Sequence, residues 1–323
     1  MSATPLISIC IPAYQSAAYL DRLLDSIKNQ NFKDFEVIIS DDSPDDAVAR
    51  LAEHYSAHLP LTYHKNKIAL GSPSNWNKSI SLASGHWIKV MHDDDWFADE
   101  HALAAFANHA KGATSDFIFS GFHNVILNTG EASTFRMNGF QRFVLRWSPL
   151  LLFRRNYIGH PSTTLIRNNL ENWFDPKIKW VVDFEFYIRV LYNQRKFVCI
   201  TKPLVNIGLG AHQITQNVFR KREVEIPENL YLLNLIGFVK LKNIFVFDYY
   251  WRLIRNLNIA DISTMRSFSS TIPIPLVIEK MILLQKKIGN QKLTTNRYLS
   301  KCLMLILYLQ LLLLFTDFKK SSK

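Results

Sequence analysis

Two acidic clusters are the first candidates for chemistry in this chain. Asp41-Asp42-Ser43 ends one short apolar run, and His92-Asp93-Asp94-Asp95 ends another. Consecutive carboxylates converging at one strand end repel one another and raise each other's pKa unless a cation or hydrogen-bond donors compensate. A divalent ion is the economical compensation. Oxygen ligation suits Mg2+ or Mn2+, which keep several waters and join one or two carboxylates to a substrate diphosphate, so a nucleotide-type substrate is expected. A solvated turn with three Asp residues is the competing reading. Asp45, Asp46 and Asp99 precede helical stretches, where a carboxylate caps free N–H groups. A further acid, Asp183, stands near the start of the apolar stretch 180–189, where a helix N-cap is one reading of it.

Strands and helices must place these acids. Short apolar runs at 6–11, 35–39, 61–64, 87–91 and 117–120 read as strands, and the stretches 16–27, 45–55, 74–83 and 99–109 carry apolar residues at helical spacing. This alternation predicts right-handed βαβ crossovers and a largely parallel central sheet with helices on both faces. In such sheets the ligand crevice lies beyond the carboxyl ends of the strands, where the following helices point their N-termini. Both acidic clusters fall there.

Composition excludes collagen-like and disordered classes: 48% of the 323 residues are hydrophobic and 20% charged, ample for a packed core. Three cysteines without a CxxC pair build neither a disulfide scaffold nor a thiolate zinc site, which fits a reducing compartment. Met1 to Tyr14 has no basic n-region and no long apolar h-region, so cytoplasmic residence is expected. Residues 1–215 are nearly neutral, whereas 216–323 carry 17 Lys+Arg against 7 Asp+Glu. A basic, apolar last third points to phospholipid head groups rather than nucleic acid. Within it Cys302 to Phe315 is apolar except for Gln310. A spanning helix needs roughly 20 apolar residues, so this run is too short to cross, and it is either buried in protein or inserted shallowly in lipid. Peripheral attachment to the inner face of the cell membrane is the expectation.

The stretch PLISICIPAYQSAAYLDRLLDSIKNQNFKDFEVIISDDSPDD resembles the opening of the family 2 glycosyltransferases, and ALGSPSNWNKSISLASGHWIKVMHDDDWFADEHAL resembles their next two landmarks. The resemblance is strong over 5–110 and weaker over 111–215. It implies an α/β GT-A fold, a mostly parallel mixed sheet flanked by helices, for a catalytic domain at 1–215, with 216–323 as a helical C-terminal extension. It implies an inverting transfer of a sugar from a UDP- or dTDP-sugar to a hydroxyl of a glycan or lipid-linked oligosaccharide, in bacterial surface polysaccharide biosynthesis, with Mn2+ or Mg2+ as cofactor. Pro12, Ala13 and Tyr14 would border the base, and Asp42 would accept its N3–H. Asp41 becomes a structural partner or a ribose contact. Asp93 matches a ribose-contacting acid, Asp94 the metal-binding acid, and Asp95 a residue orienting its neighbours. Asn77 and Lys78 would touch ribose or phosphate, although 75–78 equally reads as a plain helix start with Trp76 in the core. Asp183 matches the general base, with Val182 where a Glu is common and Glu185–Arg189 as an ordinary surface pair. His212 is a candidate third metal ligand or phosphate contact, and 159–166 resembles a strand before the acceptor pocket.

His92 departs from the family pattern, taking the place of the first Asp of its acidic run. A sugar-phosphate nucleotidyltransferase would need a Gly/Arg-rich loop after the first strand, which IPAYQSAAY lacks. An inactive nucleotide-sugar-binding or membrane scaffold protein is the alternative that His92 and Val182 keep open.

Overall fold

The apolar runs become strands of a nine-stranded sheet. The structure, a computed structural model, describes residues 4–210, 219–269 and 271–320. Its strands are β1 (Ile7–Ala13), β2 (Phe35–Asp41), β3 (Leu61–Lys65), β4 (Trp87–Val90), β5 (Trp96–Phe97), β6 (Phe117–Ile126), β7 (Ala132–Phe135), β8 (Thr164–Arg167) and β9 (Val198–Leu209). The spatial order is β3-β2-β1-β4-β8-β6-β9-β5, with β7 on β6. Six strands run one way, and β5, β7 and β8 oppose them. Every residue of β1 is buried, as a strand covered on both faces requires.

Helices α1 (Ala17–Lys28), α2 (Ala47–Ser56), α3 (Ser74–Ser81) and α4 (Ala102–Lys111) make the crossovers of the parallel half, followed by α5 (Gly139–Trp147) and α6 (Val182–Gln194). Helix α1 buries Leu20, Leu23, Leu24 and Ile27, a stripe at helical spacing, in the same core as Ile9, Ile11 and Val37. Capping is only partly as expected. Asp45 and Asp99 accept the N–H two residues on, while Asp46 stands at the start of α2 with no side-chain cap bond.

Stretch 159–166 differs from the expected continuous strand. Pro161–Thr163 is a 3-10 turn, and only Thr164–Arg167 is strand, antiparallel to β4 and β6. Pro161 suits the first position of a turn, and the Thr163 and Thr164 hydroxyls donate back to carbonyls of Ile158, His160 and Pro161, holding it bent. Gly159 precedes it at φ +98, where a Cβ would stand 2.7 Å from the Phe122 ring.

The chain divides into two compact units, Met1–Pro149 with Asn156–Gln213, and Leu150–Arg155 with Ile214–Lys323. The second is helical: α7 (Arg222–Ile236), α8 (Ile244–Asn256), α9 (Ile262–Phe268), α10 (Leu276–Ile288), α11 (Asn290–Thr295) and α12 (Arg297–Lys320). Its core gathers Leu230, Phe247, Trp251, Met281 and Leu293, and Asp248 joins Arg252 to Lys301 at 3.0 and 2.6 Å. Met304, Leu307 and Leu311 of α12 are buried, while Leu305, Ile306 and Leu309 stand exposed. Through residue 312 the run is therefore one-sided. Among the described residues, no helix is long and apolar enough to cross a membrane.

Leu24 is fully buried on α1, so Leu24→Ala leaves a cavity in the core of the first unit. Chemical denaturation is expected to give a loss of about 2–5 kcal/mol at an unchanged slope.

Candidate active site

The carboxyl ends of β1, β2 and β4 carry the predicted nucleotide-side residues. Pro12 and Ala13 are buried at the end of β1, and Tyr14 follows, 54% exposed. The Tyr14 N–H donates to Asp93 Oδ2 at 3.3 Å, and the Asp42 N–H to the Ala13 carbonyl at 3.0 Å. Adjacent parallel strands thus bring Tyr14, Asp42 and Asp93 together from positions far apart in the chain.

Asp41 is wholly buried, and its Oδ2 accepts from Tyr63 at 2.8 Å and Lys65 at 3.1 Å. These are structural contacts. Asp42 Oδ2 accepts the N–H groups of Leu70 and Gly71, and Oδ1 accepts Asn66 Nδ2 at 2.8 Å. One carboxylate therefore folds the 66–71 segment beside the strand ends, and its Oδ1 keeps a lone pair. Asn66 and Asn75 were not singled out in the sequence as contacts. Asn66 Nδ2 also reaches Ser40 Oγ and Asn75 Oδ1, while Asn75 Nδ2 donates to the Ala13 and Ser40 carbonyls.

Asn77 is engaged elsewhere. Its amide exchanges two hydrogen bonds with the Phe174 backbone, at 2.7 and 3.0 Å. Phe174 then packs on Trp76 at 5.1 Å and on Phe186 of α6 at 4.5 Å, and Trp76 lies 4.6 Å from the His92 ring. This chain of rings links α6 to the acidic turn. Glu185–Arg189 is not the surface pair expected. The Glu185 side chain is 6% exposed, and Arg189 also donates to the carbonyls of Asn172 and Trp173. The 172–174 segment carries no ionisable side chain, and its backbone carbonyls draw the guanidinium inward.

The turn after β4 is held by backbone contacts. Arg22 donates to the Asp94 carbonyl at 2.8 Å while its guanidinium lies 3.7 Å over the Trp96 ring. Gly208 of β9 donates its N–H to Asp95 Oδ1, and the His92 N–H is accepted by Ser162 Oγ at 3.0 Å. A ring nitrogen of His92 and a carboxylate oxygen from each of Asp94 and Asp95 lie within 4.8 Å of one another. Asp95 Oδ2 and His92 Nε2 are both buried with no hydrogen-bond partner. Buried polar atoms normally find one, so this donor set fits a divalent ion.

Electrostatics agree with that fit. Burial, with Asp94 alongside, pushes the Asp93 carboxyl up to about 7 and raises Asp95 well above its ordinary range. Burial drives the His92 imidazolium down to about 4, with His160 and Lys89 adding to the effect against Asp94, so the ring is neutral at pH 7. Lys89 is fully buried, donates to the Ser162 carbonyl, and is lowered to about 7 by desolvation, with Asp95 opposing.

Asp183 stands in the first turn of α6. Val181 is the N-cap, so Asp183 is not, although its Oδ1 accepts the Phe184 N–H at 2.9 Å. Asn156 Nδ2 donates to Asp183 Oδ2 at 2.8 Å and to the Gly159 carbonyl, while Asn156 Oδ1 accepts the N–H groups of Ile158 and Gly159. That turn leads into His160, lowered by burial against the attraction of Asp94. Desolvation pushes the Asp183 carboxyl up to about 6. His212 lies outside the described residues.

Residues 8–167 match the family described as Glycosyl transferase family 2, and the chain belongs to that family. It is similar to the chondroitin synthase of Escherichia coli, at 39% identity over 194 residues that cover 59% of this chain and 27% of that protein. Among solved structures it resembles TarS of S. aureus in complex with UDP-GlcNAc, with a TM-score of 0.57 and 19% identity over 86% of this chain and 78% of that one. It also resembles the mannosyltransferase PcManGT of Pyrobaculum calidifontis in complex with GDP-Man and Mn2+, with a TM-score of 0.53 and 15% identity over 95% and 86%. The fold is GT-A.

Gly208 is where β9 touches the acidic turn, and a Cβ there would lie 2.3 Å from the Asp94 carbonyl oxygen. Gly208→Ala is expected to retain its far-UV circular dichroism while transferase turnover falls about a hundredfold, since a displacement near 1 Å misplaces reacting groups.

Proposed function

We propose that this glycosyltransferase moves a sugar, with inversion, from a UDP- or dTDP-sugar to a hydroxyl of a glycan or lipid-linked oligosaccharide in bacterial surface polysaccharide assembly. One observation carries the reading: Asn156 ties the Asp183 carboxylate to the turn that delivers His160 toward Asp94. That linkage supports a shared site for a base and a diphosphate.

On the nucleotide side, the exposed Tyr14 ring covers the base, and the spare lone pair of Asp42 Oδ1 accepts the N3–H that uracil and thymine possess. Pro12 and Ala13 form the floor, and Asp93 reaches the ribose. Asp41 and Asn77 act from behind, through Lys65 and Phe174. Asp94, Asp95 and His92 would hold Mn2+ or Mg2+, and a divalent ion there supplies Lewis-acid neutralisation of the departing diphosphate. Asp183 Oδ takes the proton from the acceptor hydroxyl as its oxygen bonds to the anomeric carbon. The bond to the diphosphate oxygen breaks on the opposite face, and the electron pair leaves with the nucleoside diphosphate.

Loading of the acceptor is assigned to the second unit. Leu305, Ile306 and Leu309 form the exposed side of a helix in a strongly basic segment, which suits shallow contact with anionic lipid at the inner face of the cell membrane. That contact would hold the enzyme, as a peripheral cytoplasmic protein, beside a lipid-carried acceptor.

A base with a pKa near 6 must be deprotonated to act, so kcat/KM is expected to rise about tenfold per pH unit below 6 and to level above it. Asp183→Asn is expected to retain donor affinity and lose about 10²–10⁴ in turnover. A variant that transfers at the wild-type rate removes Asp183 from the base role, and wild-type protein inert toward all UDP- and dTDP-sugars supports the scaffold alternative.

A further inference from the structure

The acidic turn contains one donor that is not an oxygen. His92 stands in the cluster with Asp94 and Asp95, its ring nitrogen within 4.8 Å of a carboxylate oxygen of each. The neighbours of the ring leave its Nε2 unused. Trp76 packs on it at 4.6 Å, Ser162 Oγ takes its backbone N–H, and Nε2 is buried without a partner. Asp95 makes an independent case. It is 1% exposed, the Gly208 N–H and the Ser162 hydroxyl donate to its carboxylate, and its Oδ2 meets no hydrogen bond of normal geometry. A buried imidazole nitrogen and a buried carboxylate oxygen, both without a normal hydrogen bond and close to a second carboxylate, are an uncommon arrangement unless something sits between them.

The donor types decide what that something is. Mg2+ takes oxygen ligands and dehydrates reluctantly, whereas imidazole suits first-row transition ions. Replacing an Asp by a neutral imidazole also withdraws one negative charge from the set, which weakens the hold on a hard ion more than on a softer one. Resting on the reading of this turn as the diphosphate's metal site, we propose that His92 is a direct ligand that, with Asp94 and Asp95, makes the site select Mn2+ or a later first-row ion over Mg2+. His92 is then a specificity-determining residue, and Asp95 shares in ligation as well as orienting its neighbours.

The test uses the full chain titrated with Mn2+ alone and then with Mn2+ plus UDP, followed by pulsed electron paramagnetic resonance. Wild-type protein is expected to show nitrogen-14 modulation from a coordinated imidazole. The modulation is expected to persist in H160Q and in H212Q and vanish in H92D, which still binds Mn2+. Competition between the two metals is expected to show the preference for Mn2+ over Mg2+ falling about tenfold in H92D. Bound Mn2+ without nitrogen modulation, or modulation surviving in folded H92D, overturns the role of His92 and leaves the turn a metal site. Failure of wild-type protein to bind Mn2+ with or without UDP overturns both. If H92D does not fold, the wild-type spectrum, H160Q and H212Q decide the matter, because modulation absent from the first or lost in either variant removes His92.

Discussion

The end of β4 brings three successive carboxylates and an imidazole together in a partly buried turn. Such a cluster resists formation, and its cohesion comes from outside the turn. Arg22 holds the Asp94 carbonyl, Gly208 holds Asp95, and Ser162 holds the His92 backbone. Each partner belongs to a different part of the first unit: α1, β9 and the 3-10 turn before β8. The sheet order explains why they can meet. Strand β8, inserted antiparallel between β4 and β6, starts where β4 ends, so its preceding turn falls on the acidic run.

The same economy governs the position of Asp183. A carboxylate at the start of a helix, with three donors near it, would ordinarily be strongly acidic, yet desolvation raises it. Asn156 holds the carboxylate itself, and the helix that carries it packs through Phe186 on Phe174 and so on Trp76, which lies against the His92 ring. A carboxyl poised near pH 6 and an acidic turn are thereby braced by common neutral groups. The Asn156 amide and the Phe186, Phe174 and Trp76 rings carry no charge that would compete for a phosphate or a metal ion.

Much of this was legible in the residues. Five of the six strands that run together announced themselves as apolar runs, because strands covered on both faces favour apolar residues, and the acidic clusters fell at the ends of two of them; β9, interrupted by Lys202 and Pro203, did not. The amide contacts were not legible. Asn66, Asn75 and Asn156 look like loop or helix-start residues, and Asn77 pairs with a backbone segment 97 positions away that no local pattern marks. His160 likewise gains its meaning only from the antiparallel insertion of β8. The burial of Glu185 was hidden for a related reason, since helical spacing predicts its Arg189 partner but not the carbonyls of Asn172 and Trp173 that draw the pair inward.

The central claim is that the unsatisfied acceptors of the acidic turn and the nucleotide side of the sheet form one site for a metal and a diphosphate. Thermal unfolding followed with Mn2+, with UDP, and with both measures this directly, because each bound ligand stabilises the native state by mass action. The expected result is a shift for the pair that exceeds the sum of the separate shifts. A pair shift no greater than that sum, or no shift with any combination, would contradict it.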